Sequence, residues 1–241
     1  MPRFFSSQSL ATGQFLDLPD TVAHHIQVLR LAPGDLITLF NGQGGEYEAI
    51  LTSIEKRRAR VQIQTFSARE AELAHPVILA QALPEGAKMD WLIEKAVELG
   101  VTEVQPLAAQ RCVVRLAAER AQKKLQHWQG VAISAAEQCG RNRVPQVADI
   151  ADFPAWAARQ EPSQRILLTP RADMKLTEWA RQHPPRSVTL MIGPEGGFSA
   201  QEEDIARRHG AIALSIGPRI LRTETAGMAA LAALNALWGE I

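Results

Sequence analysis

Two loops near the C-terminal end of the chain gather the residue types that small-molecule chemistry requires. They read Gly193-Pro194-Glu195-Gly196-Gly197-Phe198-Ser199 and Gly217-Pro218-Arg219-Ile220-Leu221-Arg222-Thr223-Glu224-Thr225. Each follows a short apolar run that reads as a strand, Val188–Ile192 and Ala211–Ile216, and each opens into a helix. Gly196 and Gly197 let the backbone turn sharply and approach a ligand closely, because no Cβ intervenes. Ser199 with Glu202 forms a capping-box pattern, so a helix is expected from there to about His209, with Gly210 as its stop. A helix N-terminus suits a carboxylate or phosphate, although a plain strand-to-helix turn explains one glycine-rich loop about as well. The spacing matches neither Gly-x-Gly-x-x-Gly nor a P-loop, which excludes a dinucleotide or nucleoside-triphosphate fingerprint.

The second loop is harder to read as a simple turn. Pro218 stiffens it, Ile220 and Leu221 offer apolar surface, and Arg222, Thr223, Glu224 and Thr225 crowd polar groups where the next helix starts. Thr223 is the expected N-cap, and Glu224 suits the positive end of the helix dipole. The helix itself, Ala226–Trp238, is apolar nearly all round and is therefore expected to be buried on every side, in the core or against another subunit. Two such loops look like two walls of one pocket.

The elements that must position these loops change character near residue 70. Leu36–Phe40, Tyr47–Ile54 and Ala59–Gln64 read as short strands around the glycine-rich turn Asn41–Gly45 and a basic turn, which predicts a small barrel or sandwich. Ser67–His75 reads as a linker. Past Pro76, strands alternate with helices: Val77–Ala82, then a helix over Lys88–Leu99 with Met89, Leu92, Ile93, Ala96 and Val97 on one stripe and Gly100 as its stop. Glu103–Leu107 returns as a strand, Leu116–Cys139 as one long helix or two, and Arg165–Leu168 as a further strand. This alternation predicts an α/β unit with a mostly parallel sheet and helices on both faces.

Composition sets the outer bounds. Of 241 residues, 46% are hydrophobic and 22% charged, as in ordinary globular proteins. The longest nearly apolar stretch, Ala226–Trp238, is too short to cross a bilayer, and Met1–Ser7 lacks the apolar core of a secretory signal. Cys112 and Cys139 make no C-x-x-C pair and no His-Glu-x-x-His motif is present, so no metal site is expected. A cytoplasmic protein with no membrane association is expected. Twenty-six basic and 26 acidic residues cancel, which gives no global nucleic-acid signal. Basic residues nevertheless cluster at Lys56-Arg57-Arg58-Ala59-Arg60 and between Arg111 and Arg143; a solvated helix face and a charged turn would explain both clusters.

Taken with several upstream blocks, the two loops resemble the paired signature of the RsmE family, SPOUT-class methyltransferases that act on uridine N3 in 16S small-subunit ribosomal RNA. The blocks are His24–Leu31, Phe40-Asn41-Gly42, Lys88–Val101 and Ala135–Arg141, so the resemblance runs over nearly the whole chain. It implies a PUA-like β-barrel over 1–70 that binds RNA, and over 76–241 a SPOUT domain whose C-terminal part is tied in a trefoil knot. It further implies S-adenosylmethionine as cofactor and a homodimer, with the small ribosomal subunit as partner. Carried onto this sequence, the cofactor pocket is expected from Leu168 and Thr169 with Pro170, from Gly193, Glu195, Gly196 and Gly197, from Ser215, Ile216 and Gly217, and from Ile220, Leu221, Arg222 and Ala226.

Methyl transfer to uridine N3 requires that the nitrogen lose its proton, to a general base or with a cation stabilising the anion. Glu195 and Glu224 are the candidate bases and Arg222 the candidate cation; a helix-dipole role for Glu224 and a structural ion pair for Arg222 weigh about equally. RNA contacts are expected from Arg3, His24, His25, Arg30, Lys56, Arg57, Arg58 and Arg60 in the barrel, and from Arg111, Arg115, Arg141 and Arg143 in the larger domain. Two rivals stand beside this reading, a SPOUT ribose 2′-O-methyltransferase and a non-enzymatic RNA-binding assembly factor.

Overall fold

A computed structural model describes residues 1–113, 118–160 and 162–239 of the chain. The chain divides into two compact units, one of Met1–Glu72 with Ala136–Val144, the other of Leu73–Ala135 with Pro145–Ile241. The first unit contains β1 (Arg3–Phe5), β2 (Phe15–Asp17), α1 (Asp20–Val28), β3 (Leu36–Phe40), β4 (Glu46–Glu55) and β5 (Arg58–Ser67). They form one sheet in the order β1-β3-β4-β5-β2, antiparallel except for the β1–β3 pair. Two register shifts in the long β4–β5 hairpin, between Glu48 and Ala49 and between Leu51 and Ser53, strengthen its local twist. Alternate residues Ile37 and Leu39, Ala49 and Leu51, and Val61 and Ile63 face a common core with Phe4 and Ile26.

Three elements here lie outside the sequence expectation. β1 and β2 are only three residues long, too short to show a period, and α1 buries just Val22, Ala23 and Ile26 on its inner side. The segment expected to be a linker, Ser67–His75, is instead tied down. Arg69 donates from Nη2 to the Gly140 carbonyl at 2.8 Å, and Asn142 donates from Nδ2 to the Arg69 carbonyl at 2.6 Å. Arg141 and Arg143, expected in the larger domain, belong to this smaller unit.

The second unit is built from β6 (Val77–Ala82), α2 (Lys88–Glu98), β7 (Glu103–Ala108), α3 (Ala118–Cys139, its last turn assigned to the first unit), β8 (Gln146–Val147), β9 (Ala151–Asp152), α4 (Phe153–Ala157), β10 (Gln164–Leu168), α5 (Leu176–Gln182), β11 (Val188–Ile192), α6 (Ala200–Arg208), β12 (Ile212–Leu214) and α7 (Thr223–Trp238). Its sheet runs β12-β10-β11-β6-β7-β8, with β9 also on β7, and every pairing is parallel. All five residues of β11 are buried, the mark of a strand covered on both faces. The expected stripe of α2 is the buried one: Met89, Leu92, Ile93, Ala96 and Val97. The expected start of the long helix at Leu116 lies outside the described residues.

Helix α7 departs from expectation at its start. It begins at Thr223, with Arg222 at the N-cap position and no side-chain cap, because the Thr223 hydroxyl is engaged elsewhere. Within the single chain Gly227, Met228, Ala230, Leu231, Leu234 and Asn235 are buried, while Thr225 and Ala236 are exposed and Ala229, Ala232 and Ala233 half-buried, so the core covers one face of the expected all-round burial. Uniform apolarity comes from alanine, which tolerates either environment.

Arg141 is a structural residue of the first unit. Its side chain is 3% exposed and forms a two-pronged ion pair with Glu72, with Nε at 3.1 and 3.2 Å from the two carboxylate oxygens. Removing one partner leaves an uncompensated buried charge. Arg141→Met is expected to cost about 3–5 kcal/mol in urea unfolding, most of it recovered in the double variant with Glu72→Met.

Candidate active site

The loops at the C-terminal ends of β10, β11 and β12 converge on a cleft of about 490 Å³, within the usual range for a ligand site. Its walls are Leu168–Arg171 at the end of β10, Ile192–Phe198 at the end of β11, and Ile216, Gly217 and Arg219–Thr223 with Ala226 after β12 and into α7. Among the expected cofactor residues, Leu168, Thr169, Gly193, Glu195, Gly196, Gly197, Ile216, Gly217, Ile220, Leu221, Arg222 and Ala226 line it, as does Pro170. Ser215 does not. Its hydroxyl and backbone N–H both turn to the Met174 carbonyl, where a bridge pairs Lys175 with Ser215, so the side chain is buried behind the wall.

Local chemistry explains the first loop. A Cβ on Gly193 would lie 2.8 Å from the Phe198 nitrogen, so only glycine lets the loop fold back on itself. Gly197 has φ +65°, the left-handed conformation that glycine adopts without strain. The loop exits through a complete capping box. The Ser199 N–H donates to Glu202 Oε2 at 2.8 Å and the Glu202 N–H to Ser199 Oγ at 3.3 Å, which starts α6 at the expected place. The other Glu202 oxygen accepts from the Gln110 N–H at 2.7 Å. Arg111, expected at an RNA surface, braces this loop: its Nη1 donates to the Gly196 carbonyl at 2.7 Å.

The second loop is pinned from below. Thr223 Oγ1 donates to the Gly193 carbonyl at 2.6 Å and accepts from Gln81 Nε2 at 2.9 Å, all in the interior. Arg222, one residue earlier, is exposed and makes no side-chain hydrogen bond or ion pair among the described residues.

The charges of the cleft are organised by a residue the sequence reading missed. Lys88, the first residue of α2, donates from Nζ to Glu195 Oε1 at 2.6 Å and lies 3.7 Å from Glu224 Oε2. A cation at a helix N-terminus opposes the dipole, and that misfit was the available signal that Lys88 answers to something else. Burial works against the charged form of Glu195, but the Lys88 ammonium and the Glu85 N–H more than offset it and hold the carboxyl below its ordinary range. The bond to Glu195 correspondingly raises Lys88, with desolvation opposing and Glu224 adding to the effect. Glu195 is thus a committed, weakly basic carboxylate. Glu224 differs: it does not line the cleft, and its buried Oε2 accepts no hydrogen bond among the described residues. On the far wall Arg171 pairs with Glu203, also unforeseen.

The expected RNA-contact residues of the first unit are not equivalent. Lys56, Arg57, Arg58 and Arg60 are exposed around the β4–β5 turn, as are His24, His25 and Arg30 near α1. Arg3 is largely enclosed, held by Asn142 and Glu46 with its guanidinium over the Phe40 ring, and Arg141 is buried. Arg143 is exposed beside Glu70, and Arg115 lies outside the described residues.

Comparison with known proteins agrees with this geometry. An RNA methyltransferase domain family matches residues 71–235, and an RNA methyltransferase PUA domain family matches residues 18–64. The ribosomal RNA small subunit methyltransferase E of Bacillus subtilis is 32% identical, covering 98% of this chain and 96% of its own. That of Buchnera aphidicola is 31% identical over 100% and 98%. Among solved structures, a ribosomal RNA small subunit methyltransferase E from Neisseria gonorrhoeae bound to S-adenosyl methionine superposes with a TM-score of 0.94 at 42% identity, covering 99% and 98% of the two chains. A Legionella pneumophila protein in complex with the same cofactor gives 0.92 at 35% identity, over 97% and 96%. With the cleft, its loops and near-complete alignment in agreement, the chain belongs to the ribosomal RNA small subunit methyltransferase E family.

Proposed function

We propose that the protein transfers a methyl group from S-adenosylmethionine to N3 of a uridine in 16S ribosomal RNA, as a homodimer acting on the small subunit in the cytoplasm, with the C-terminal loops tied in a trefoil knot. The observation that carries this reading is the three-walled cleft at the C-terminal ends of β10, β11 and β12, in a chain so similar to cofactor-bound methyltransferases.

The residues present fit this cofactor. Leu168, Ile192, Ile216 and Leu221 give apolar walls for a flat base. Gly197 borders the cleft, and a Cβ built there meets nothing within 4 Å, so the backbone faces open space that a ligand can approach. When bound, S-adenosylmethionine supplies an electrophilic methyl group on a sulfonium centre. The task left to the protein is alignment and proton management.

Arg222 stands at the rim with its charge uncommitted and suits an oxygen of the uracil ring as negative charge develops there. Glu224, two residues further on and just behind the lining of the cleft, is the candidate to take the N3 proton: its buried Oε2 accepts no hydrogen bond among the described residues and has the Lys88 ammonium 3.7 Å away, whereas Glu195 accepts a hydrogen bond from Lys88. Lys88 lies near both carboxylates and prevents their mutual repulsion from opening the loops. Support for a second copy comes from Ile220, 86% exposed on the second loop, and from the half-covered alanine face of α7. The exposed basic turn at Lys56–Arg60 suits RNA phosphates.

Incubation with S-adenosylmethionine and small subunits, followed by nucleoside mass spectrometry, is expected to yield 3-methyluridine; a ribose-methylated nucleoside would overturn the assignment. Arg222→Ala is expected to lower kcat by about 10²–10³-fold with cofactor affinity by calorimetry unchanged. A loss of cofactor binding would make Arg222, which lines the cleft, a cofactor contact rather than the cation of the methyl-transfer step. Glu224→Gln is expected to lower kcat by about 10²–10⁴-fold with cofactor affinity unchanged, because the amide cannot take up the proton; an unchanged kcat would assign the base elsewhere.

A further inference from the structure

At the opposite ends of the same strands lies a second cavity, of about 810 Å³. It opens where the strands begin: Gln164 starts β10, Ser187 precedes β11 and Gly210 precedes β12. A five-residue strand spans about 16 Å, so this cavity is separate from the methyl-transfer cleft at the other ends of β10 and β11. Among the described residues that line it, the charged side chains have a single sign. Arg159 follows α4, Arg165 lies on β10, Arg186 precedes β11, and Arg208 and His209 end α6, while no described residue lining it is acidic. Glu161 of the same stretch falls outside the described residues.

Local needs account for only part of this charge. Arg165 is buried, donates to the Ala157 and Trp156 carbonyls and stacks over the Trp156 ring, so it serves the fold. Arg208 pairs with Asp204 at 3.1 Å and suits the negative end of α6. Arg159 and Arg186 have no such role. Both are exposed and neither forms an ion pair among the described residues; Arg186 makes only a 3.4 Å bond from Nε to the Pro184 carbonyl, two residues away. Cations from three stretches of chain, residues 159–165, 185–187 and 208–210, converging on one concavity raise the local potential, and a planar guanidinium matches phosphate oxygens in a two-pronged fashion.

We infer that this cavity binds the phosphate backbone of the RNA substrate at a point remote from the methylated base, with Arg159 and Arg186 as the main contacts. A groove of this size with cations spread over three stretches of chain fits successive phosphates of a strand better than one small anion. The inference rests on the RNA methyltransferase reading above, since it takes that RNA as its ligand. A substrate held at two points is oriented as well as tethered, which fixes which base enters the cleft.

The test is the double variant Arg159→Gln/Arg186→Gln in the full chain, measured against wild type with small-subunit ribosomal RNA. Each single-strand phosphate contact contributes a factor of about 5 to affinity between 1 M and 0.1 M salt, so losing two should weaken binding about 25-fold at 0.1 M and flatten the slope of log K against log salt by about 1.4. KM for RNA should rise with kcat unchanged, and cofactor affinity by calorimetry should stay at the wild-type value, which also reports a folded second unit. Unchanged RNA affinity and salt slope would overturn the site while leaving the methyltransferase reading intact. Protection by inorganic phosphate of the wild type alone, without any change in RNA affinity, would identify a small-anion pocket and equally overturn it. Wild-type protein that neither binds nor methylates the RNA would instead remove the functional reading.

Discussion

The cleft depends on one buried hydroxyl. Thr223 has a single donor and uses it on the Gly193 carbonyl, and the same oxygen accepts from Gln81, a fully buried residue of β6. Three pieces of chain remote in sequence therefore meet at one atom: the end of β6, the first residue of the glycine loop and the first turn of α7. Burial makes this arrangement stringent, because a polar group left unpaired away from water costs far more than a paired one gains. With that joint closed, Gly193 can fold its loop back against Phe198 and Glu195 is carried to Lys88. The ligand site is thus shaped by interior bonding before any ligand arrives, which reduces the ordering cost of binding.

Helices α2 and α7 extend this joint into a frame. Lys88 at the start of α2 lies near Glu224 at the start of α7, and Asn235 near the end of α7 donates to the Leu99 carbonyl at the end of α2 at 2.9 Å. The two helices therefore run side by side in the same direction. Their like-oriented dipoles are relieved at the positive ends by two carboxylates and at the negative end of α2 by an amide donor. Lys88 opposes its own helix dipole, but its position between Glu195 and Glu224 outweighs that local misfit. Once these charges are paired, Arg222 is left with its charge uncommitted, as a group that must act on something other than the protein requires.

Much of this was legible in sequence where local rules operate. The α2 stripe, the buried β6 and β11, the Ser199–Glu202 box and the glycine loops all follow from periodicity or backbone sterics, and nearly all the expected cofactor residues do line the cleft. What was not legible arises from tertiary pairing. Lys88, Arg171 and Glu203 look like ordinary charged helix or loop residues until distant segments bring them partners. Arg141 was grouped with a basic surface because charge clustering in sequence says nothing of Glu72. Ser215 lies beside the correct loop, but strand alternation turns it away from the cleft. Thr223 had every credential of an N-cap, and its hydroxyl instead bonds the chain at Gly193.

Helix α7 shows why an apolar composition can serve two purposes at once. Its inner face is cut close: a Cβ at Gly227 would come within 3.3 Å of Leu79 and 3.6 Å of Ile192, so the helix lies directly on β6 and β11. Its outer face carries Ala229, Ala232 and Ala233, small enough for another helix to approach without reshaping either surface. Thr223 and Glu224 form the first turn of the same rigid rod. Any shift of α7 on the sheet is therefore a shift of the Thr223 joint and of the Glu224 carboxylate beside Lys88. A second copy packed on the alanine face, as proposed, would press the helix toward the sheet and hold both in register. Assembly and chemistry would then share one mechanical element, with no separate linkage needed between them.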